Sequence, residues 1–288
     1  MSCHRFELLF ALVAATYLTV ATAPLTAQAA TLASANFASY SDGALVGQNG
    51  WQQWRTETTS PLTVSAGRVA WPGGATTNNQ DAFLPFPSDV VQPASGTTVL
   101  NFDMTLSVDA PSASNPSYFA ALNTNNTSST SSNFQNARIV AQTQGTGYVF
   151  GTRVNGQSGY PWSFGTQELT VGQDYALRAE INMVAGNAND FINLYVGPDF
   201  DNLSLYTTAG YGSGSVNDPS FGSIVLSQFG TGTVFEAGVS VGSVSVTQVV
   251  PEPSAIGLAA VGLIGGLGYT GVRRHRRKAE RADATLAA

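Results

Sequence analysis

From Val99 to Val108 the chain alternates. Leu100, Phe102, Met104, Leu106 and Val108 fall on one side, and Asn101, Asp103, Thr105 and Ser107 fall on the other. A period of two is the signature of a strand with one face in a core and the other in water; a helix would scatter the same residues around its axis. Tyr175 to Val184 repeats the pattern, with Tyr175, Leu177, Ala179, Ile181 and Met183 opposed to Ala176, Arg178, Glu180 and Asn182. Half-buried strands form a sheet, and its apolar face needs a second layer to cover it.

The remaining chain supplies that layer in the same form. Phe191–Val196 is rich in aromatic and β-branched residues. Val234–Val246 alternates through Phe235, Ala237, Val239 and Val241, then changes phase at Gly242-Ser243, which predicts a β-bulge. Further strands are predicted at Thr31–Phe37, Leu62–Trp71, Tyr118–Leu122, Ala137–Gln142, Tyr148–Val154 and Ile224–Gln228. Turn signals divide them, among them Asp42-Gly43, Asn155-Gly156, Gly186-Asn187 and Gly197-Pro198. No helix-period stretch stands between the termini, and no fixed repeat recurs. The expected fold is all-β, a two-sheet antiparallel jelly-roll sandwich over residues 30–248.

Composition removes several chemistries. Between Ala30 and Val250 five arginines face fourteen carboxylates, a net −9; the whole-chain −6 hides this because the basic tail offsets it. Lysine occurs once, at Lys278. That balance argues against nucleic acid as a partner, and against anionic lipid or polyanions. The one cysteine is Cys3, and both histidines, His4 and His275, lie in the terminal segments. The stretch between Ala30 and Val250 therefore has no disulfide, no thiolate chemistry, no Ser-His-Asp triad and no histidine zinc site. Glu180 and Arg178 share a face two residues apart, so a surface ion pair is expected between them.

Two ligand classes keep candidates. Asp190, Asp199, Asp201 and Asp218, with Asn189, Asn202 and Asn217, provide oxygen ligands that suit calcium, the one candidate cofactor, although the spacing matches no EF-hand loop and such residues also populate turns. For a glycan, Arg153, Asn155, Tyr160 and Trp162 cluster around a turn together with Tyr148, and Trp51 and Trp54 flank an earlier loop. Aromatic faces beside planar polar groups are what a sugar ring requires, while the same rings also serve to plug the ends of a sandwich.

The termini carry address signals. His4 and Arg5 precede a mainly apolar stretch, Phe6–Val20, and Ala27-Gln28-Ala29 has the small-x-small form of a cleavage site. Residues 1–29 thus read as a secretory signal helix. Ser254–Val272 holds 19 residues without a charge. As a helix it spans about 28 Å, close to a bilayer's hydrocarbon thickness. The cluster Arg273, Arg274, Arg276, Arg277 and Lys278 follows at once and places that end in the cytoplasm, with Pro251 outside. Pro251 and Pro253 hold the lead-in extended, a form proteases favour. Residues 279–288 read as a disordered tail.

Pro251-Glu252-Pro253, the Gly-rich span and the terminal arginines together resemble the PEP-CTERM sorting signal of bacterial exported proteins. The resemblance implies a partner, the membrane protease-transpeptidase exosortase. It implies cleavage near Pro251-Glu252-Pro253 after a transient inner-membrane stage, and delivery to the cell surface or an exopolysaccharide matrix. Asn36-Phe37 through Asn49-Gly50-Trp51 resembles the opening of concanavalin A-like, laminin G-like sandwiches. Tyr175–Ile181 followed by Asn189–Pro198 resembles their later hairpin, with Gly197-Pro198 where that pattern often has Asn-Pro. This fold hosts lectins, glycosidases, adhesion modules and spacers. Its retaining glycosidases carry Glu-x-Asp-x-x-Glu or a near variant, and none of Glu57, Glu168, Glu180 or Glu236 has an aspartate two residues on. The expectation is a non-enzymatic surface or matrix protein, with a carbohydrate-binding module and a glycoside hydrolase as the alternatives.

Overall fold

The computed structural model describes residues 29–54, 62–71, 80–111, 118–125, 135–154, 162–186, 189–210, 220–228 and 238–249. Strands form where the alternation predicts them. In chain order they are β1 (Ala29–Asn36), β2 (Gly43–Ala44), β3 (Gln52–Gln53), β4 (Thr63–Ser65), β5 (Arg68–Trp71), β6 (Gln80–Val90), β7 (Thr97–Ala110) and β8 (Tyr118–Asn123). There follow β9 (Gln135–Gln144), β10 (Gly147–Val154), β11 (Ser163–Phe164), β12 (Asp174–Val184), β13 (Phe191–Gly197), β14 (Ser204–Gly210), β15 (Phe221–Gln228) and β16 (Gly238–Val249).

They pair into two antiparallel sheets. Among the described residues one has nine strands, in the order β14-β13-β12-β7-β16-β5-β4-β2, with β1 also on β16. The other has seven, in the order β11-β10-β9-β8-β15-β6-β3. The two-sheet antiparallel sandwich expected from the alternation is the fold observed. The predicted bulge is present too: the β16–β7 register shifts between Val241 and Ser243. Residues 29–250 form a compact unit, and its two ends adjoin, because Ala29 opposes Val249 in the β1–β16 pair.

The sheets differ in their outer faces. On β7, Leu100, Phe102, Met104, Leu106 and Val108 are fully buried, while Asn101, Asp103 and Thr105 look outward. The outer face of the nine-stranded sheet is polar and hydrogen-bonded to itself. Arg178 donates to both oxygens of Asp103, at 2.7 and 2.8 Å, and the Thr105 and Ser243 hydroxyls lie 2.8 Å apart. The ion pair expected between Glu180 and Arg178 is not formed. Arg178 and Asp103 are directly opposed in register, and opposed side chains stand closer than the i, i+2 neighbours of one strand. Glu180 instead accepts from the side-chain amides of Asn182 and Asn193. The bonds to Asp103 hold the Arg178 guanidinium above its ordinary pKa, against the pull of burial.

The outer side of the seven-stranded sheet is largely buried instead. All six residues of β8 are buried, and in β10 all but Arg153 are. Inward go Phe119, Leu122, Ile139, Phe150, Ile224 and Leu226, which join the main core. Outward go Tyr118, Ala121, Val140, Val225 and Phe83, a second apolar cluster.

The signal helix, Pro251, Glu252, Pro253, the span 254–272, the cluster Arg273, Arg274, Arg276, Arg277 and Lys278, and the tail 279–288 lie outside the described residues. Among the described residues no helix is long and apolar enough to cross a membrane.

Candidate functional site

The outer side of a sandwich sheet ordinarily meets water and carries polar residues. On the seven-stranded sheet it carries rings and guanidinium groups beside the buried polar residues Asp81, Asn123, Ser223 and Ser227. Register builds the arrangement. Arg153 on β10 opposes Arg138 on β9, Arg138 opposes Ala121 on β8, Ala121 opposes Val225 on β15, and Val225 opposes Phe83 on β6. One row across the sheet thus runs from two arginines, over two short side chains, to an aromatic ring.

Rings frame both ends of this row. The Arg153 guanidinium carbon lies 4.4 Å from the centre of the Trp162 ring, and that of Arg138 lies 4.8 Å from the centre of Tyr118. Both distances fit cation–π contact. At the far end Trp54 meets Phe83 edge to face, with centroids 5.6 Å apart, and its amide donates to the Asp81 carbonyl at 3.5 Å. The buried Asp81 carboxylate accepts from the Ser227 hydroxyl. A polar group closes the side of the row: Asn123 and Ser223 both donate to the Asn125 carbonyl at 2.9 Å, and Asn136 donates to Ser220.

Arg153 is held partly out of water. Burial lowers its pKa from the ordinary value, and proximity to the Tyr118 hydroxyl opposes that shift. Gly151 explains how Phe164 reaches the face. A Cβ at Gly151 would lie 2.5 Å from Phe164 Cδ1 and 3.1 Å from Val140 Cγ2, so the ring rests directly on the β10 backbone. Gly151→Ala is expected to turn Phe164 away and cost about 1–3 kcal/mol of stability. Urea unfolding gives the cost; loss of the Phe164 ring packing, seen in its aromatic proton shifts, gives the cause.

The sequence candidates separate as follows. Arg153 and Trp162 come together. Asn155 and Tyr160 lie outside the described residues, as do Glu57, Glu236, Asn217 and Asp218. Tyr148 and Trp51 do not belong to the site: both are core residues, Tyr148 packing on Phe150 and Trp51 on Phe37. Burial pushes the Tyr148 phenol far above its ordinary range. Of the calcium candidates, Asp190 is buried and accepts from Val184 N and Gln92, and Asp199 accepts from the Asp201 and Asn202 amides of its own loop. They serve different loops, and among the described residues no group of three or more acidic, His or Cys side chains is placed to hold a metal ion. Arg138, Tyr118 and Phe83 were not foreseen.

A hollow of about 460 Å³ lies on the nine-stranded sheet and is lined by Asp103, Arg178, Phe200 and Ser245 among others. Its charges already satisfy each other, which makes it the weaker candidate.

No family model matches this chain, and no curated protein is similar to it in sequence. Solved structures do resemble it. An alginate lyase in complex with alginate tetrasaccharide is 13% identical, with 77% of this chain and 97% of that chain covered and a TM-score of 0.46. Peanut lectin is 10% identical, with 77% and 98% covered and a TM-score of 0.42. An endo-1,3-beta-glucanase from Streptomyces sioyaensis is 13% identical, with 80% and 99% covered and a TM-score of 0.42. The likeness concerns the sandwich alone. It corrects one expectation: enzymes stand among these structures, so the non-enzymatic reading drawn from the sequence is withdrawn.

Proposed function

We propose that the chain is an exported saccharide-binding β-sandwich, with Arg153, Trp162 and Phe164 at the β10–β11 end of the seven-stranded sheet's outer face as its binding surface. One observation carries this reading. At the β10–β11 end of a face that is otherwise closed, half-buried Trp162 and Phe164 lie beside Arg153, which is the combination of flat apolar surface and directional donors that pyranose rings need. Trp162 and Phe164 are half-buried and so remain reachable from solvent. The test is affinity electrophoresis of the purified chain through gels cast with the exopolysaccharide of its own cells. Retardation is expected, and Trp162→Ala should reduce it by about 1 kcal/mol, roughly fivefold in Kd. Equal mobility with and without polymer would count against the reading.

The delivery of this domain belongs to the same proposal. The order Pro251-Glu252-Pro253, uncharged span, arginine cluster supports sorting by exosortase and a passing membrane stage, ending at the cell surface or in the surrounding matrix. Mass spectrometry of the surface-recovered protein should find a C-terminus near Pro253; a chain still ending in Ala288 would contradict processing.

A further inference from the structure

We propose that the hollow on the outer face of the nine-stranded sheet is a second saccharide site, one that takes neutral sugar units laid across the strands. It is separate from Arg153, Trp162 and Phe164, which flank the other sheet, and shares only the ligand class with them. The pairing of its charges makes the hollow a poor receiver of ions and a good receiver of hydroxyl groups. Arg178 gives Nε and Nη2 to the two oxygens of Asp103, which leaves its Nη1 and the further lone pairs of the carboxylate outside that pair. The Arg178 side chain is 32% exposed, so those donors can be reached. Adjacent donors and acceptors without net charge are what the neighbouring hydroxyls of a sugar pair with.

A sheet face that is merely wetted carries polar side chains. This one also presents exposed apolar groups. One register row runs Leu205, Tyr195, Arg178, Asp103, Ser245 and Ser34 across six strands. Leu205 is 59% exposed, and Phe200 is the one ring among the exposed large apolar side chains of the described residues. The Phe200 centre stands 5.9 Å from the Arg178 guanidinium carbon, against 4.4 Å for Trp162 and Arg153, so the ring does not close on the ion pair. The hollow of about 460 Å³ opens among Phe200, Arg178, Asp103, Asn36, Ser243 and Ser245, within the range of about 300–1,000 Å³ for small-ligand sites. The ring is also held in place. Asp199 braces its loop by accepting from the Asp201 and Asn202 amides, so little freedom remains to be lost on binding.

Strand spacing and charge define the ligand. Adjacent strands stand about 4.8 Å apart, close to the length of one pyranose unit, so a polymer lying across them meets successive side chains with successive units. Arg178 is offset by Asp103 and Arg68 by Asp174, and Glu180 stands in the next register row, so carboxylates exceed guanidinium groups here and an acidic polymer is repelled. The net −9 between Ala30 and Val250 acts in the same direction.

The experiment is affinity electrophoresis of the full chain through gels cast with dextran, neutral galactan, glucomannan or polygalacturonate. Retardation by at least one neutral polymer is expected, exceeding that by polygalacturonate. In that polymer Phe200→Ala should weaken binding about fivefold, and Ser245→Leu, which fills the hollow, about tenfold or more, each with Trp162 in place or replaced by alanine. Near-UV circular dichroism checks that the variants are folded. Folded Phe200→Ala and Ser245→Leu proteins that migrate like the parent would remove the hollow from recognition and leave the β10–β11 site standing. Loss of all retardation on Trp162→Ala alone would also overturn the second site. Loss confined to Phe200→Ala and Ser245→Leu, with Trp162→Ala unchanged, would uphold the hollow and overturn the β10–β11 reading. Stronger retardation by polygalacturonate would overturn the neutral class, and free passage through all four gels would overturn both sites.

Discussion

Phe102→Ala is expected to lower the stability of the folded unit by about 3–5 kcal/mol, the cost of a large cavity in a closed core. Phe102 has no exposed surface. It sits at the middle of β7, opposed by Ala179 on β12 and Val246 on β16, so both neighbouring strands enclose it. Neither Ala179 nor a β-branched valine can extend to refill the space. Asn101→Ala, one residue away on the outer face, should stay within about 0.5 kcal/mol. Urea unfolding with a constant slope separates the two. Comparable losses would mean that the two-residue period does not mark which face is buried.

That contrast also shows what the sequence reveals. Period two fixes which residues of β7, β12 and β16 point inward, because it depends only on neighbours along the strand. The bulge at Gly242-Ser243 was readable for the same reason: the phase of the pattern itself changes. β6 was not readable. Pro85 and Pro87 argue against a strand, yet β6 tolerates them because β3 pairs with it only at Ala82 and Phe83, and the β15 register shifts between Phe221 and Ser223. β14 was missed as well; its Ser204 and Leu205 are exposed and its pattern is weak.

The candidate site was half legible. Arg153 and Trp162 are close in sequence, so proximity could be guessed. Arg138 and Tyr118 enter through register between strands, and register is set by turns and packing outside any single stretch. A signal was nevertheless present. Tyr118–Asn123 and Tyr148–Val154 do not alternate apolar with charged residues as β7 and β12 do. A strand apolar on both faces in an antiparallel sheet announces an outer face that is not simply wetted. Charge failed differently: the total describes the average surface, and it is silent about two arginines meeting across one strand pair.

Gly197→Ala is expected to destabilise by about 2–3 kcal/mol, an overpacking cost against backbone. A Cβ there would lie 2.1 Å from the Asn202 carbonyl oxygen, 2.8 Å from its carbonyl carbon and 3.1 Å from Leu203 Cα. This accounts for glycine where similar sandwiches often carry asparagine before the proline. The loop cannot step aside at low cost. Asp199 Oδ1 accepts from the amides of Asp201 and Asn202 at 3.0 and 2.9 Å, and from Asn202 Nδ2 at 2.8 Å. Gly210→Ala has no atom within 4 Å of the new methyl and should be nearly neutral. The cause is separable from the size. Asp199→Ala releases the loop, so the Gly197→Ala cost measured in that background should fall by about 1 kcal/mol, a coupling typical of residues in contact. Strict additivity of the two substitutions in urea unfolding would show that something other than the Asp199-braced loop refuses the methyl group.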